Sequence, residues 1–427
     1  MTKDFVLHML RRDNTRFTMH YNQHTSQLKN EDGTLFKENP YPPKQWKEVF
    51  KTSPINPAKK VSNPTRLRIQ LGLGCNYTCS YCLQASEIHK ASATSIADAN
   101  IFIKTLDKWL TGIPTKIEFW GGEPLLYWKK IEVLAPALIK KFPDAQYIMI
   151  TNGSLLTPEI NQQIDDWGFG IGMSHDGPGY HLRGEDPLDN PEQRKQIEDL
   201  MQRLIPKGRF SFNAVLTPAS YDVSAVIDWF NKKFDVQAPN TMNVHFEGVV
   251  HDYNGDDTSR FTENQLTDLQ QKLYFQIIDQ SALRSSTIIR HVDNAINSIL
   301  MQRPSFSLGQ KCAMDREDQL AVDLLGNIMT CQNTGAKGRH RLGHVNSLDK
   351  VKLTTAYHWE NREECKSCPV LQLCQGSCMY QEGDNWTSSC NSEFAFNKAI
   401  FAGALFFMTG AVLERIEGNI IRPSYSK

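Results

Sequence analysis

The chain has 427 residues, 40% of them hydrophobic, and its 47 Lys and Arg balance 47 Asp and Glu. That length exceeds one small core, so two or three domains are expected, and zero net charge removes any global pull toward nucleic acid or an anionic surface. Ten cysteines behind an N-terminus (Met1-Thr2-Lys3-Asp4-Phe5) with no apolar signal region point to a reduced, cytoplasmic setting, where thiols ligate metal rather than pair as disulfides.

Residues 1–65 read as an N-terminal extension. Phe5–Met9 and Arg16–Tyr21 look like strands, and Asn39-Pro40-Tyr41-Pro42-Pro43 and Ser53-Pro54-Ile55-Asn56-Pro57 break any regular pattern. The extension holds 11 Lys and Arg against 6 Asp and Glu. A solvated face explains that surplus more simply than an anionic partner does.

From Arg66 strands and helices alternate. Strands are expected at Arg66–Leu71, Ile117–Trp120, Tyr147–Thr151, Phe169–Ser174, Arg209–Leu216 and Met242–Glu247. Helices are expected between them, at Ser95–Leu110, Trp128–Phe142, from Thr157-Pro158, at Pro191–Leu204 and at Ser224–Phe234. Six such units argue a parallel sheet with right-handed crossovers, and six rather than eight an α/β fold that is a partial (β/α)6 TIM-like barrel over residues 66–260. A helical linker would follow over 261–311, then a second domain over 312–390 holding seven cysteines, then a closing helix near Phe394–Ile416 within 391–427. The apolar run Ala399–Leu413, interrupted by Gly403, Thr409 and Gly410, is too short to span a bilayer, so no membrane partner is expected.

The chemistry is expected at the C-terminal ends of the strands. After the first strand comes Gly72-Leu73-Gly74-Cys75-Asn76-Tyr77-Thr78-Cys79-Ser80-Tyr81-Cys82. Its C-x₃-C-x₂-C spacing can aim three thiolates at one iron–sulfur cube. A [4Fe–4S] cluster ordinarily takes four cysteines, so three leave one iron open for chemistry. After the second strand comes Trp120-Gly121-Gly122-Glu123-Pro124, in which two glycines allow close backbone approach to a ligand and Glu123 offers an anion to a cationic group. Taken singly, the first motif could be a partial zinc site and the second a strand-ending turn.

Together the two motifs resemble radical S-adenosylmethionine (radical SAM) enzymes. The resemblance implies that Cys75, Cys79 and Cys82 bind a reducible [4Fe–4S] cluster whose open iron takes the amino and carboxylate groups of SAM. Gly121, Gly122 and Glu123 would line that amino group, and Tyr81 would contact the adenine. One electron, from a donor such as flavodoxin or ferredoxin, would cleave the sulfonium to a 5′-deoxyadenosyl radical that removes a hydrogen atom from substrate. Ser174, in Ser174-His175-Asp176-Gly177-Pro178, and Arg183 match residues that contact SAM in relatives, although Arg183-Gly184-Glu185-Asp186-Pro187 departs from the expected spacing. His175 reads as a packed or hydrogen-bonded histidine rather than a catalytic one. No catalytic side chain is assigned.

The remaining cysteines, Cys312, Cys331, Cys365, Cys368, Cys374, Cys378 and Cys390, would fit a zinc ribbon by their C-x₂-C pair alone. Their order resembles the SPASM extension of radical SAM enzymes, which carries two auxiliary [4Fe–4S] clusters. By that resemblance Cys365, Cys368, Cys374 and Cys390 bind one, and Cys312, Cys331 and Cys378 the other. The second lacks a fourth cysteine, which leaves either an acidic ligand or an open iron. In anaerobic sulfatase maturases an aspartate after the cysteine of the Gly-x₄-Cys element acts as a base; here Gln332 stands there, and an amide takes no proton at neutral pH.

The leading reading is therefore hydrogen abstraction from an amino-acid moiety of a peptide or protein, ending in epimerisation, cross-linking or rearrangement rather than formylglycine. The alternative puts the amino-acyl group on a small molecule or hypermodified nucleobase, making a nucleotide the partner. A non-catalytic zinc or cluster scaffold would leave the Gly-Gly-Glu motif without a task.

Overall fold

The computed structural model describes residues 4–42, 44–251, 253 and 259–425, so Met1–Lys3 and Pro43, used in the sequence reading, lie outside the described residues. The chain divides into two compact units, each discontinuous in sequence: Met1–Lys51 with Val215–Cys312 and Tyr357–Lys427, and Thr52–Ala214 with Ala313–Ala356. Residues 312–390, read from the sequence as one cysteine-bearing segment, are thus shared between the units.

The chain opens with β1 (Phe5–Leu10), β2 (Arg16–Asn22) and β3 (Gln27–Asn30). The α/β alternation follows: β4 (Arg66–Gln70), α1 (Ile96–Thr105), β5 (Lys116–Trp120), α2 (Trp128–Lys141), β6 (Gln146–Thr151), α3 (Pro158–Asp166), β7 (Gly170–Ser174), α4 (Pro191–Leu204), β8 (Phe210–Leu216), α5 (Val223–Lys233) and β9 (Val244–Val249). Local chemistry sets several of these boundaries. Ser95 and Asp98 form a capping box at α1, Thr157 caps α3 ahead of Pro158, and Asn190 caps α4 ahead of Pro191. The first helix stops at Thr105 and tightens into a 3₁₀ turn over Leu106–Lys108, short of the expected Leu110.

Next come α6 (Glu263–Ile278), α7 (Ser286–Leu300), β10 (Gln319–Asp323), β11 (Asn327–Met329), β12 (Arg341–His344), α8 (Glu363–Lys366), α9 (Leu371–Cys374), α10 (Gly383–Thr409) and β13 (Val412–Glu417). The closing helix differs from the expected Phe394–Ile416. It begins eleven residues earlier, and Gly410, at φ 71°, ends it before the chain turns into β13.

In the unit built on 52–214 and 313–356, the sheet order is β12-β11-β10-β4-β5-β6-β7-β8. β10, β4, β5, β6, β7 and β8 are parallel, with Val322 opposite Ile69 and Ile69 opposite Phe119, whereas β11 and β12 are antiparallel. All five residues of β10 are buried, as are Leu67, Ile69, Ile117 and Phe119, so both faces of this part of the sheet are covered. β4, which delivers the cysteine loop, is therefore an interior strand. In the other unit β13, β1, β2 and β3 form an antiparallel sheet in that order, and α10 packs on α6 and α7. α10 is buried on nearly every side from Trp386 to Leu405, yet no described helix is long and apolar enough to cross a membrane.

Candidate active site

β4 and β5 end side by side, and their continuations stay in register. The Leu71 N–H donates to the Trp120 carbonyl at 2.8 Å, Gly122 to Gly72 at 3.2 Å and Glu123 to Gly74 at 3.0 Å. The glycines make this possible. A Cβ on Gly122 would collide with the Leu73 and Gly74 carbonyls, and one on Gly72, which holds φ 146°, would lie 2.6 Å from the Tyr127 hydroxyl oxygen. That hydroxyl accepts from the Gly74 N–H at 2.7 Å. The two-glycine motif thus first serves the chain itself, by seating the cysteine loop backbone to backbone. Tyr127 was not singled out in the sequence; a tyrosine four residues beyond Glu123 carries no motif.

Cys75, Cys79 and Cys82 are each partly exposed on this loop. The Cys75 sulfur accepts from the Tyr77 N–H and the Cys82 sulfur from the Gln84 N–H, both at 3.4 Å. Each donor is the amide two residues on, so the backbone already folds around two sulfurs as a ligating loop requires. Burial pushes the Cys79 thiol up to about 11, against the pull of Arg183, and raises Cys75 too. Soft, polarizable thiolates of this kind suit iron–sulfur chemistry, and binding iron would release their protons.

Glu123 is buried and committed to the chain. Its carboxylate accepts from Leu125 N–H at 2.9 Å, Thr151 Oγ1 at 2.6 Å and Asn152 N–H at 2.7 Å, clamping the end of β5 to that of β6. Burial raises its pKa, and these donors oppose the rise. Asn152 in turn donates to Asn76 Oδ1 at 3.0 Å, so the clamp reaches the cysteine loop.

Tyr81 and Arg183 come together, 102 residues apart in the chain. The buried Tyr81 hydroxyl donates to the Asp176 carboxylate, and Arg183 Nη1 donates to the Tyr81 oxygen at 3.0 Å. Arg183 also lies 3.8 Å from Asp176 Oδ2. Burial disfavours its charge, but Tyr81, Asp176 and Cys79 outweigh that and hold the guanidinium protonated. Asp176, quoted in the sequence only as part of a turn, completes this trio. Ser174 ends β7 opposite Asn213. His175 is buried with Nε2 2.9 Å from Asp186 Oδ1, and its Nδ1 accepts from the Gly177 N–H at 3.0 Å, which assigns the proton to Nε2. Beside the loop a cavity of about 530 Å³ is lined by Asn76, Tyr77, Ser154, Glu185, Asp186 and Gln193, among others.

Cys331 is buried just past β11 in this same unit; Cys312 and Cys378 belong to the other unit. In that other unit Cys365 on α8, Cys368, Cys374 at the end of α9 and Cys390 on α10 line one pocket with Arg422. Burial pushes Cys368 up to about 12, with Arg422 opposing, and raises Cys365, Cys374 and Cys390. Arg422 donates to the Cys390 carbonyl at 2.9 Å, and the half-buried Arg362 acts electrostatically on Cys365, Cys378 and Cys390. The Cys368 sulfur accepts from the Val370 N–H and Cys378 from Tyr380, repeating the amide pattern of the first loop. Two arginines beside these cysteines would offset the negative charge that their sulfurs take on when they ligate a cluster.

Residues 69–222 match the model of the Radical SAM superfamily. The sequence is 26% identical over 332 residues to the radical SAM cyclopropyl synthase TigE of Paramaledivibacter caminithermalis, covering 71% of this chain and 66% of that protein, just under two thirds of its length. It is 22% identical over 335 residues to the cysteine-type anaerobic sulfatase-maturating enzyme of Clostridium perfringens, covering 71% and 86% of the two chains. Among solved structures, native anSMEcpe with bound AdoMet and Cp18Cys peptide aligns at TM-score 0.55 and 20% identity, covering 81% of this chain and 99% of that one, a likeness of fold.

Proposed function

We propose, from the premise that the chain carries a radical SAM domain and is an enzyme, that it abstracts a hydrogen atom from an amino-acid moiety, most simply within a peptide or protein. Cys75, Cys79 and Cys82 would hold the SAM-binding [4Fe–4S] cluster, and Cys365, Cys368, Cys374 and Cys390 an auxiliary one. When bound and reduced, the first cluster supplies the one-electron cleavage of SAM that generates a 5′-deoxyadenosyl radical. The chain's own part is positioning. Backbone N–H groups donate to the Cys75 and Cys82 sulfurs and hold them in place. The Glu123 clamp fixes the ends of β5 and β6, where SAM would lie. Arg183, held by Tyr81 and Asp176, keeps a positive charge beside Cys79.

The observation that carries the reading is the cysteine loop seated on Gly121–Glu123 with two of its three sulfurs already accepting backbone N–H bonds. Gln332, which cannot act as a base, supports a redox-neutral outcome such as epimerisation or rearrangement, or a cross-link that uses a different base, over formylglycine formation. The peptide named with the anSMEcpe structure supports the peptide class. Anaerobically reconstituted protein, given SAM and dithionite, is expected to release 5′-deoxyadenosine, and Cys79→Ala to release none. A Cys79→Ala variant that still cleaves SAM would overturn the assignment of the loop.

A further inference from the structure

We propose that Asn333 is a positioning residue that locks the segment after Cys331 onto the cysteine loop and, through Gln84, fixes the hydrogen bonding of the Cys82 sulfur. The proposal rests on the reading of Cys75, Cys79 and Cys82 as a cluster site.

Gln84 is 7% exposed and joins three pieces of the site. Its backbone N–H donates to the Cys82 sulfur at 3.4 Å. Its side-chain Nε2 donates to the Gly121 carbonyl at 3.2 Å and to Asn333 Oδ1 at 3.0 Å. Asn333 Oδ1 accepts a second bond, from Trp120 Nε1 at 2.9 Å. Both lone pairs of one amide oxygen are thus used, one toward the residue that begins the Gly-Gly-Glu motif and one toward the residue that ends the cysteine loop.

The flanking backbone is held as well. Gln70 Nε2 donates to the Gln332 and Thr334 carbonyls at 2.8 and 3.0 Å, and the Gly335 N–H donates to Glu87 Oε2 at 3.0 Å. What these bonds do not supply is an acceptor for Trp120 Nε1 or for the second Gln84 Nε2 hydrogen, the first being taken by the Gly121 carbonyl, and Asn333 Oδ1 accepts both. An apolar residue there would strand those two donors. With one of its two side-chain bonds lost, Gln84 would loosen its backbone N–H on Cys82, and hydrogen bonds to ligating sulfur are among the determinants of a cluster's potential. Aspartate keeps both acceptor sites, so it separates this role from simple space-filling.

The test compares Asn333→Ala and Asn333→Asp with the parent protein. In metal-free protein, amide exchange of residues 331–335 and of Gln84 is expected to quicken in Asn333→Ala by about fivefold, the scale of one net hydrogen bond, and to return to parent rates in Asn333→Asp. In reconstituted protein with matched iron content, an EPR-monitored redox titration in the presence of SAM is expected to show the potential of the Cys75/Cys79/Cys82 cluster lowered in Asn333→Ala; Asn333→Asp, whose added negative charge lowers a nearby potential by itself, is compared by exchange alone. Unchanged exchange and potential in Asn333→Ala would overturn the proposal, as would an Asn333→Asp whose exchange matches that of alanine. If Asn333→Ala does not fold, Trp120→Phe removes a single donor and is expected to quicken exchange at 331–335 to a smaller degree; no change would again overturn it. A parent protein that assembles no cluster on the cysteine loop sinks the cluster reading instead, while the exchange measurement still decides the lock.

Discussion

At Gly122 a side chain has nowhere to go, because the carbonyls of Leu73 and Gly74 occupy the space where its Cβ would stand. Backbone cannot move aside as a flexible side chain does. Gly122→Ala is therefore expected to cost about 1 to 3 kcal/mol, the usual scale of overpacking, and to lower the iron retained at the cysteine loop more than at the other cysteines. Thermal melting and iron analysis of single-site variants would measure both. Glu393 sets a second expectation. It is buried on α10 with Lys311 Nζ at 3.1 Å, His251 Nε2 at 3.0 Å and Asn397 Nδ2 at 2.7 Å on its carboxylate. Burial would raise its pKa, but Lys311 and His251 prevail and hold it below the ordinary value of 4.5. A carboxyl depressed by folding adds stability that is complete above 4.5 and is lost as pH falls below it. Glu393→Gln is expected to lose about 2 to 3 kcal/mol at neutral pH, just under the buried-pair range because Lys311 and His251 are partly exposed, and to flatten the acid limb. Denaturant melts from pH 7 down to pH 3 would show whether the limb flattens.

The elements of the alternating region were legible because their signals are local. Thr157-Pro158 and Asn190-Pro191 mark helix starts by capping chemistry, and Tyr147–Thr151 alternates in a way no helix does. The expected Phe394–Ile416 is displaced toward the C-terminus from the observed α10, whose first turns carry Ser388, Ser389, Asn391 and Ser392, residue types that favour loops. In the fold Ser392 Oγ donates to the Ser388 carbonyl at 3.1 Å and Asn397 Nδ2 to that of Glu393 at 2.7 Å, so these two side chains bond to the helix they ride on. At the site, the residues carrying motifs were found and those merely holding them were not. Gln84, Tyr127 and Asn333 act through contacts 37 to 249 residues distant, which no spacing rule encodes. Lys60 is of the same kind. Its buried ammonium donates to the carbonyls of Met314, Arg316 and Gln319 at 2.7, 2.8 and 2.9 Å, fastening the turn that enters β10. Lys60→Met, which keeps the stem and removes all three donors, is expected to cost about 2 to 4 kcal/mol and to open residues 313–319 to protease. Limited proteolysis with mapped cleavage sites would show whether the turn has come loose.

For the whole molecule, the decisive fact is that neither unit is a continuous stretch of chain. The polypeptide passes between them at residues 51/52, 214/215, 312/313 and 356/357. A fragment of residues 66–260, the barrel as the alternation outlines it, would lack β10 beside β4. It is expected to give no cooperative unfolding transition, where the intact chain does; circular dichroism melts of the two would decide.

The pairing of β4 with β10 also has a history in time. Residues 66–82 leave the ribosome about 250 residues before Gln319–Asp323 can flank them, an interval of roughly 10 to 50 seconds at ordinary rates of synthesis. Throughout it one edge of β4 has no neighbour, and three thiols wait on a loop whose clamp to residues 332–335 has not yet been made. Oxidant met in that window would strike the nascent chain before iron could protect it. Yield of active protein should therefore depend on how reducing the surroundings are during translation as well as on how the finished chain, whose three loop cysteines stay partly exposed, is handled before reconstitution.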